Sequence, residues 1–147
     1  MPNTYCSLHY HIVFSTKDRM PLLTKDWRGN MHAYLGGIIK TLNGVPMEIN
    51  GIEDHVHLLI GLRPTHCLSD VMRDLKAGSS DWASNTVGKN FAWQPGYCGF
   101  TVSPQQLENV RKYIINQEEH HRKQTFQEEY LEMLNRSGVE YDERYLW

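Results

Sequence analysis

The chain has 147 residues, of which 40% are hydrophobic and 22% charged, with a net charge of -2. A single domain of that size buries roughly 70% of the surface its unfolded form exposes, so it folds without disulfides or a structural metal, and the composition excludes intrinsic disorder. The longest strongly apolar run, Val56 to Leu62, is far short of the ~20 residues a membrane span needs, and the charge disfavours a generic electrostatic coating of duplex DNA.

In chain order, Met1-Pro2-Asn3-Thr4-Tyr5 carries no signal-peptide pattern. His9 to Ser15 alternates and is rich in β-formers, which predicts a strand. After Pro21, the residues Trp27, Met31, Tyr34, Leu35, Ile38, Ile39 and Leu42 recur at helical spacing, and Asn43-Gly44 stops the helix. Val45 to Ile52 and His55 to Leu62 read as two strands joined as a hairpin through Glu53-Asp54. Leu68, Val71, Met72, Leu75 and Trp82 mark a second helix, and Gly96 to Val102 a fourth strand. Pro104 opens a helical pattern that runs to about Lys123, with Leu107, Val110, Ile114 and Ile115 as its buried stripe. A short helix over Phe126 to Leu134 follows. The order strand-helix-strand-strand-helix-strand-helix predicts an α+β fold, a ferredoxin-like antiparallel sheet with helices on one face.

Charge and cysteines add two points. Residues 126–147 hold six acids and two bases, whereas residues 1–125 hold 13 bases and 11 acids. The charge shift predicts a main domain body over 1–125 and an acidic helical C-terminal tail of the same domain over 126–147. Cys6, Cys67 and Cys98 are widely spaced with no CxxC pair, which fits free thiols in a reducing cytoplasm.

Two motifs carry chemistry. On a strand, His55 and His57 project to one face while Val56, Leu58 and Ile60 face the other way, and two imidazoles on one face can chelate a divalent metal. An H-x-H pair also occurs where one histidine packs and the other makes a hydrogen bond. Tyr113 and Gln117 are one turn apart on the flank of the last long helix. A phenol is a poor nucleophile at neutral pH, but it becomes useful when a metal polarises the phosphorus it attacks. His, His and Gln are neutral ligands and would leave the ion's full charge to act on phosphate oxygens. His120 and His121, one turn further on, are surplus ligand candidates, but a solvated Glu-Glu-His-His face is the favoured reading.

These residues carry a resemblance. His55-Val56-His57 resembles the HUH motif, and Tyr113 followed by Gln117 resembles the nucleophile helix of the single-tyrosine HUH transposases, the small enzymes of single-stranded-DNA insertion sequences and their repeat-associated kin. Tyr10 to Arg19, Trp93-Gln94-Pro95-Gly96-Tyr97, Thr101-Val102-Ser103 and the terminal Tyr141 to Trp147 are similar to family segments as well, so the likeness spans roughly the whole chain. It implies the HUH endonuclease fold. It implies that His55, His57 and Gln117 hold Mg²⁺ or Mn²⁺, and that Tyr113 attacks the phosphodiester to give a 5′-phosphotyrosine and a free 3′-hydroxyl, later reversed to rejoin strands. The implied partner is single-stranded DNA with hairpins, bound by a homodimer in the insertion-sequence branch.

Charge marks candidate DNA contacts at Lys17, Arg19, Arg73, Lys76, Arg111 and Lys112. Arg73, Lys76 and Ser80 share one helix face, and Arg111 and Lys112 flank Tyr113. Trp82, Trp93 and Tyr97 are stacking candidates for unpaired bases, with core packing the competing role for Trp82. Two other readings stand beside the transposase. One is a catalytically silent hairpin-binding protein. The other is a zinc hydrolase using His55, His57 and a third histidine such as His11 or His121, with Glu53 or Asp54 as base.

Overall fold

The computed structural model describes residues 3–147, so Met1 and Pro2 of the N-terminal segment lie outside it. Four strands, β1 (His9–Ser15), β2 (Val45–Gly51), β3 (His55–Gly61) and β4 (Cys98–Thr101), form one antiparallel sheet in the order β2-β3-β1-β4. Helix α1 (Lys25–Thr41) crosses from β1 to β2, and α2 (Leu68–Thr86) from β3 to β4. This is the ferredoxin-like arrangement. Pro46, which donates no ladder hydrogen bond, sits on the edge strand β2 at a register shift before Glu48.

Strand alternation divides the side chains between two faces. Ile12 and Phe14 of β1 with Val56, Leu58 and Ile60 of β3 face α1 and α2, where Met31, Leu35, Ile39, Met72 and Leu75 complete a core with almost no solvent contact. The expected one-sided helices are this crossover pair. The opposite face carries His11, Val13, His55, His57 and Leu59, and the C-terminal helices cover it. Ile114 of α3 (Leu107–Ile115) packs with Leu59, and Phe126, Tyr130 and Leu134 of α5 (Phe126–Arg136) pack with Val13.

The helix expected to run unbroken from Pro104 to Lys123 is in pieces. A 3-10 turn over Pro104–Gln106 leads into α3, and Asn116 (φ −93°, ψ 24°) separates α3 from α4 (Gln117–His121). The cause is Asn50 on β2, whose Nδ2 donates to the carbonyls of Ile114 and Ile115, both at 3.0 Å. Those carbonyls would otherwise serve the next helical turn, and a side chain inserted into the ladder bends a helix. Ile115, expected in the buried stripe, is 48% exposed, because Ile114 takes the sheet-facing position. Gln117 is turned fully inward.

Candidate active site

The site is built on β3, whose seven residues are all buried. His55 and His57 have no exposed surface, and each is oriented through its Nδ1. The Nδ1–H of His55 donates to Asp54 Oδ1 at 2.7 Å, which leaves the Nε2 lone pair directed into the protein. His57 Nδ1 shares a hydrogen bond with His11 Nε2 at 2.8 Å, the rings stacking 5.1 Å apart. Phe126 lies flat on His55, with ring centroids 4.1 Å apart. At the hairpin end, a Cβ on Gly51 would collide with the His55 carbonyl, so the turn that delivers His55 requires glycine there.

Gln117 and Tyr113 come to this pair from the helical side. Gln117 Oε1 lies 3.3 Å from His55 Nε2, and its Nε2 donates to the Tyr113 carbonyl at 3.2 Å across the break in the helix. The Tyr113 ring stands edge-on to His57, with centroids 5.7 Å apart, and its hydroxyl lies within hydrogen-bond reach of His120 Nε2 at 3.4 Å. The structure thus brings together four residues selected from the sequence: His55, His57, Tyr113 and Gln117.

It also brings in residues that the sequence reading passed over. Glu129 of α5 is 1% exposed, with Oε1 2.7 Å from His57 Nε2 and 3.7 Å from His55 Nε2. Its Oε2 lies 2.9 Å from His120 Nε2 and 3.0 Å from His121 Nε2 yet completes a well-aligned hydrogen bond with neither. His120 and His121, expected on a solvated face with His121 a ligand candidate only in the zinc reading, point inward onto this carboxylate, and the His121 side chain is 6% exposed. A readable signal existed. Phe126, Glu129, Tyr130, Met133 and Leu134 follow i, i+3, i+4, i+7, i+8 spacing, so an acid lies on the apolar stripe of an amphipathic helix.

Burial and neighbouring charge set the protonation of this cluster. Burial alone would raise the Glu129 carboxyl, but the close approach of His121, the hydrogen bond with His57 and the charge of the histidines hold it well below the usual carboxylate range. Burial lowers His57 to about 4 against the pull of Glu129, and lowers His11 to about 3 with the help of His57. His121 moves the other way, because the Glu129 carboxylate 3.0 Å away outweighs burial. Burial, then the Glu129 charge, pushes the Tyr113 phenol far above its ordinary value.

The donor set fits a divalent metal. His55, His57, His121 and Glu129 each present a ligand atom, all within 4.8 Å of one another. Asp54 fixes the His55 tautomer with Nε2 free, the outer-sphere arrangement that metal-binding histidines use. The buried carboxylate has no Lys or Arg partner among the described residues, and a bound cation would balance it. A cavity of about 360 Å³, lined by Tyr113, His120, Glu129 and Arg136 among others, lies against the Glu129 side of the cluster.

The basic candidates scatter. Lys76 Nζ donates to the carbonyls of Gln94 (2.6 Å) and Gly96 and lies over the Phe14 ring. The Arg19 guanidinium stacks on Trp147 at 5.2 Å. Arg73 pairs with Asp70 and Asp74, and Arg111 with Glu48 and Glu108. Lys17 and Lys112 are exposed, with no carboxylate in ion-pair range among the described residues. Trp93 is a core residue against Phe14, Trp82 stacks on Tyr34, and Tyr97 packs at the core edge.

Comparison with known proteins agrees with this geometry. Over 120 residues the chain is 29% identical to the ISDra2 transposase TnpA of Deinococcus radiodurans, covering 75% of this chain and 84% of that one. A crystal structure of a putative transposase from Deinococcus radiodurans superposes with a TM-score of 0.66 at 26% identity, covering 80% of this chain and 95% of the other. A REP-associated tyrosine transposase bound to a REP hairpin shares the fold at 13% identity and a TM-score of 0.60, covering 79% of this chain and 70% of that one. Residues 4–117 match the family model described as "Transposase IS200 like". The chain belongs to that family, and it is a transposase, an enzyme of DNA strand transfer.

Proposed function

We propose that this transposase cuts and rejoins single-stranded DNA beside hairpins, with Tyr113 as nucleophile and His55, His57 and Gln117 as ligands of Mg²⁺ or Mn²⁺. The observation that carries the reading is the approach of the Tyr113 ring to the buried histidine pair, 5.7 Å from His57. In this reading the Tyr113 oxygen attacks the scissile phosphorus and its proton leaves toward His120 Nε2, the ring nitrogen 3.4 Å away. The bond from phosphorus to the 3′ oxygen breaks, that oxygen takes up a proton, and the 5′ phosphate stays on Tyr113. A 3′-hydroxyl reverses the exchange and rejoins strands. The ion supplies charge against the phosphate oxygens when bound. His55 and His57 hold their Nε2 atoms in place through Asp54 and His11, and Gln117 ties the ligand set to the main chain of the nucleophile.

Among the basic residues, Lys17 and Lys112 serve as phosphate contacts. Arg73 and Arg111 reach DNA by exchanging their acid partners, while Arg19 and Lys76 act mainly inside the protein. The working unit is a homodimer in the cytoplasm, as the resemblance to insertion-sequence enzymes suggests. Residues 1–125 serve as the catalytic domain, with 126–147 as its C-terminal extension.

The test is incubation with hairpin-bearing DNA flanking the gene, with Mn²⁺, with Mg²⁺ and with chelator. A denaturation-resistant protein–DNA adduct is expected with metal, and none with chelator or in Tyr113→Phe. Cleavage without an adduct would favour hydrolysis by bound water, and tight hairpin binding without cleavage would favour a silent binder.

A further inference from the structure

We infer that Glu129 and His121 are direct ligands of the ion, so that the site holds three imidazoles, a carboxamide and a carboxylate and takes Mn²⁺ ahead of Mg²⁺. The inference rests on the reading that His55, His57 and Gln117 hold an ion. Both added donors lie beyond residues 4–117, the part that matches the family model.

The first argument is spacing. An ion with ligands at ~2.1 Å in octahedral array has adjacent ligand atoms ~3.0 Å apart and opposite ones ~4.2 Å apart. Around this cluster the separations are 3.3 Å from His55 Nε2 to Gln117 Oε1, 3.0 Å from Gln117 Oε1 to His121 Nε2, 3.0 Å from His121 Nε2 to Glu129 Oε2 and 2.7 Å from Glu129 Oε1 to His57 Nε2. The four titratable donors all fall within 4.8 Å. These match the edges of a coordination polyhedron, and with Glu129 bound through one oxygen a position is left for a phosphate oxygen.

The second argument is the direction of lone pairs. The Nδ1–H of His121 donates to the Gln124 carbonyl at 2.9 Å, so in its neutral form the ring turns its Nε2 lone pair toward Gln117 Oε1 and Glu129 Oε2. Three acceptors then face one another in a buried site, an arrangement that repels unless a proton or a cation lies between them. Glu129 Oε2 lacks an aligned hydrogen bond.

The third argument is rigidity. The carboxylate is placed by a helix anchored through Phe126, Tyr130 and Leu134, each at most 5% exposed, and not by a mobile loop. Phe126 also stacks on His55. Ion occupancy and docking of α5 are therefore one event.

The donor types set the selectivity. Mg²⁺ prefers oxygen ligands and retains its waters, whereas imidazole-rich sites favour transition ions. The carboxylate also leaves the site less positive than three neutral ligands would.

Titration calorimetry with Mn²⁺ and with Mg²⁺ on the full chain tests this. Wild type is expected to bind Mn²⁺ more tightly than Mg²⁺. Glu129→Gln and His121→Gln should each weaken Mn²⁺ by about tenfold or more. Wild-type Mn²⁺ affinity in both variants, tighter binding in Glu129→Gln, or equal Mn²⁺ and Mg²⁺ affinity in wild type would overturn the assignment. Absence of any ion binding by wild type would instead remove the metal-dependent reading beneath it. Should a variant fail to fold, hydrogen exchange on wild type decides. Mn²⁺ is expected to slow exchange across residues 126–136, and no change there would refute the role of Glu129.

Discussion

Asp54→Ala removes the acceptor that fixes the tautomer of His55. The hydrogen bond is short (2.7 Å), and it joins a fully buried imidazole to a carboxylate whose side chain is 20% exposed. Loss of such an outer partner typically weakens metal binding by about 10–100-fold, which is about 1.4–2.7 kcal/mol at 1.36 kcal/mol per decade. Burial of His55 places the expected loss toward the upper end, because little water can substitute for the carboxylate. The fold should persist, since the main-chain carbonyl of Asp54 still accepts from the Thr16 amide at 2.9 Å. Asp54→Asn keeps an acceptor oxygen and should lose less. Calorimetric Mn²⁺ titration of the three proteins reads this order directly. An Asp54→Ala protein that is folded and binds Mn²⁺ like wild type would refute the idea that His55 coordinates through Nε2.

Other consequences are equally concrete. Phe14→Ala empties a fully buried site against Trp93 (ring centroids 4.7 Å apart) and should cost about 3–5 kcal/mol in urea unfolding, with an unchanged slope. His32 is lowered to about 4 by burial and by Arg28, so the unfolded chain takes up a proton between about 6.5 and 4 that the folded chain refuses. Stability contributed at this position is therefore present above that window and lost as pH falls through it. His32→Gln should flatten the decline in melting temperature on acidification, and an unchanged slope would contradict the assignment. Tyr113→Phe should retain wild-type Mn²⁺ affinity, because the phenol is not among the proposed ligands, and a large loss in calorimetry would place it in the coordination shell.

The sheet was readable because its strands obey a period of two and their ends are punctuated by Asn43-Gly44, Pro64 and Pro104. The histidine pair was readable for the same reason, since alternation alone places His55 and His57 together. The break at Asn116 was not readable, because it depends on Asn50, distant in sequence and brought beneath the helix by β2. Glu129 was obscured by its setting. Among so many acids a carboxylate counts as surface charge, and its place on the stripe of Phe126, Tyr130 and Leu134 gains meaning only once that stripe lies over the histidines. The basic residues were the least legible, because charge in a sequence does not reveal whether carbonyls or acids already hold it, as they do for Lys76 and Arg73.

The central claim is that Tyr113 becomes covalently joined to DNA. Protease digestion of the denatured adduct followed by mass spectrometry should place a nucleotide, attached through its 5′ phosphate, on the peptide containing Tyr113. A nucleotide found on another residue, or cleaved DNA with every tyrosine unmodified, would contradict the account.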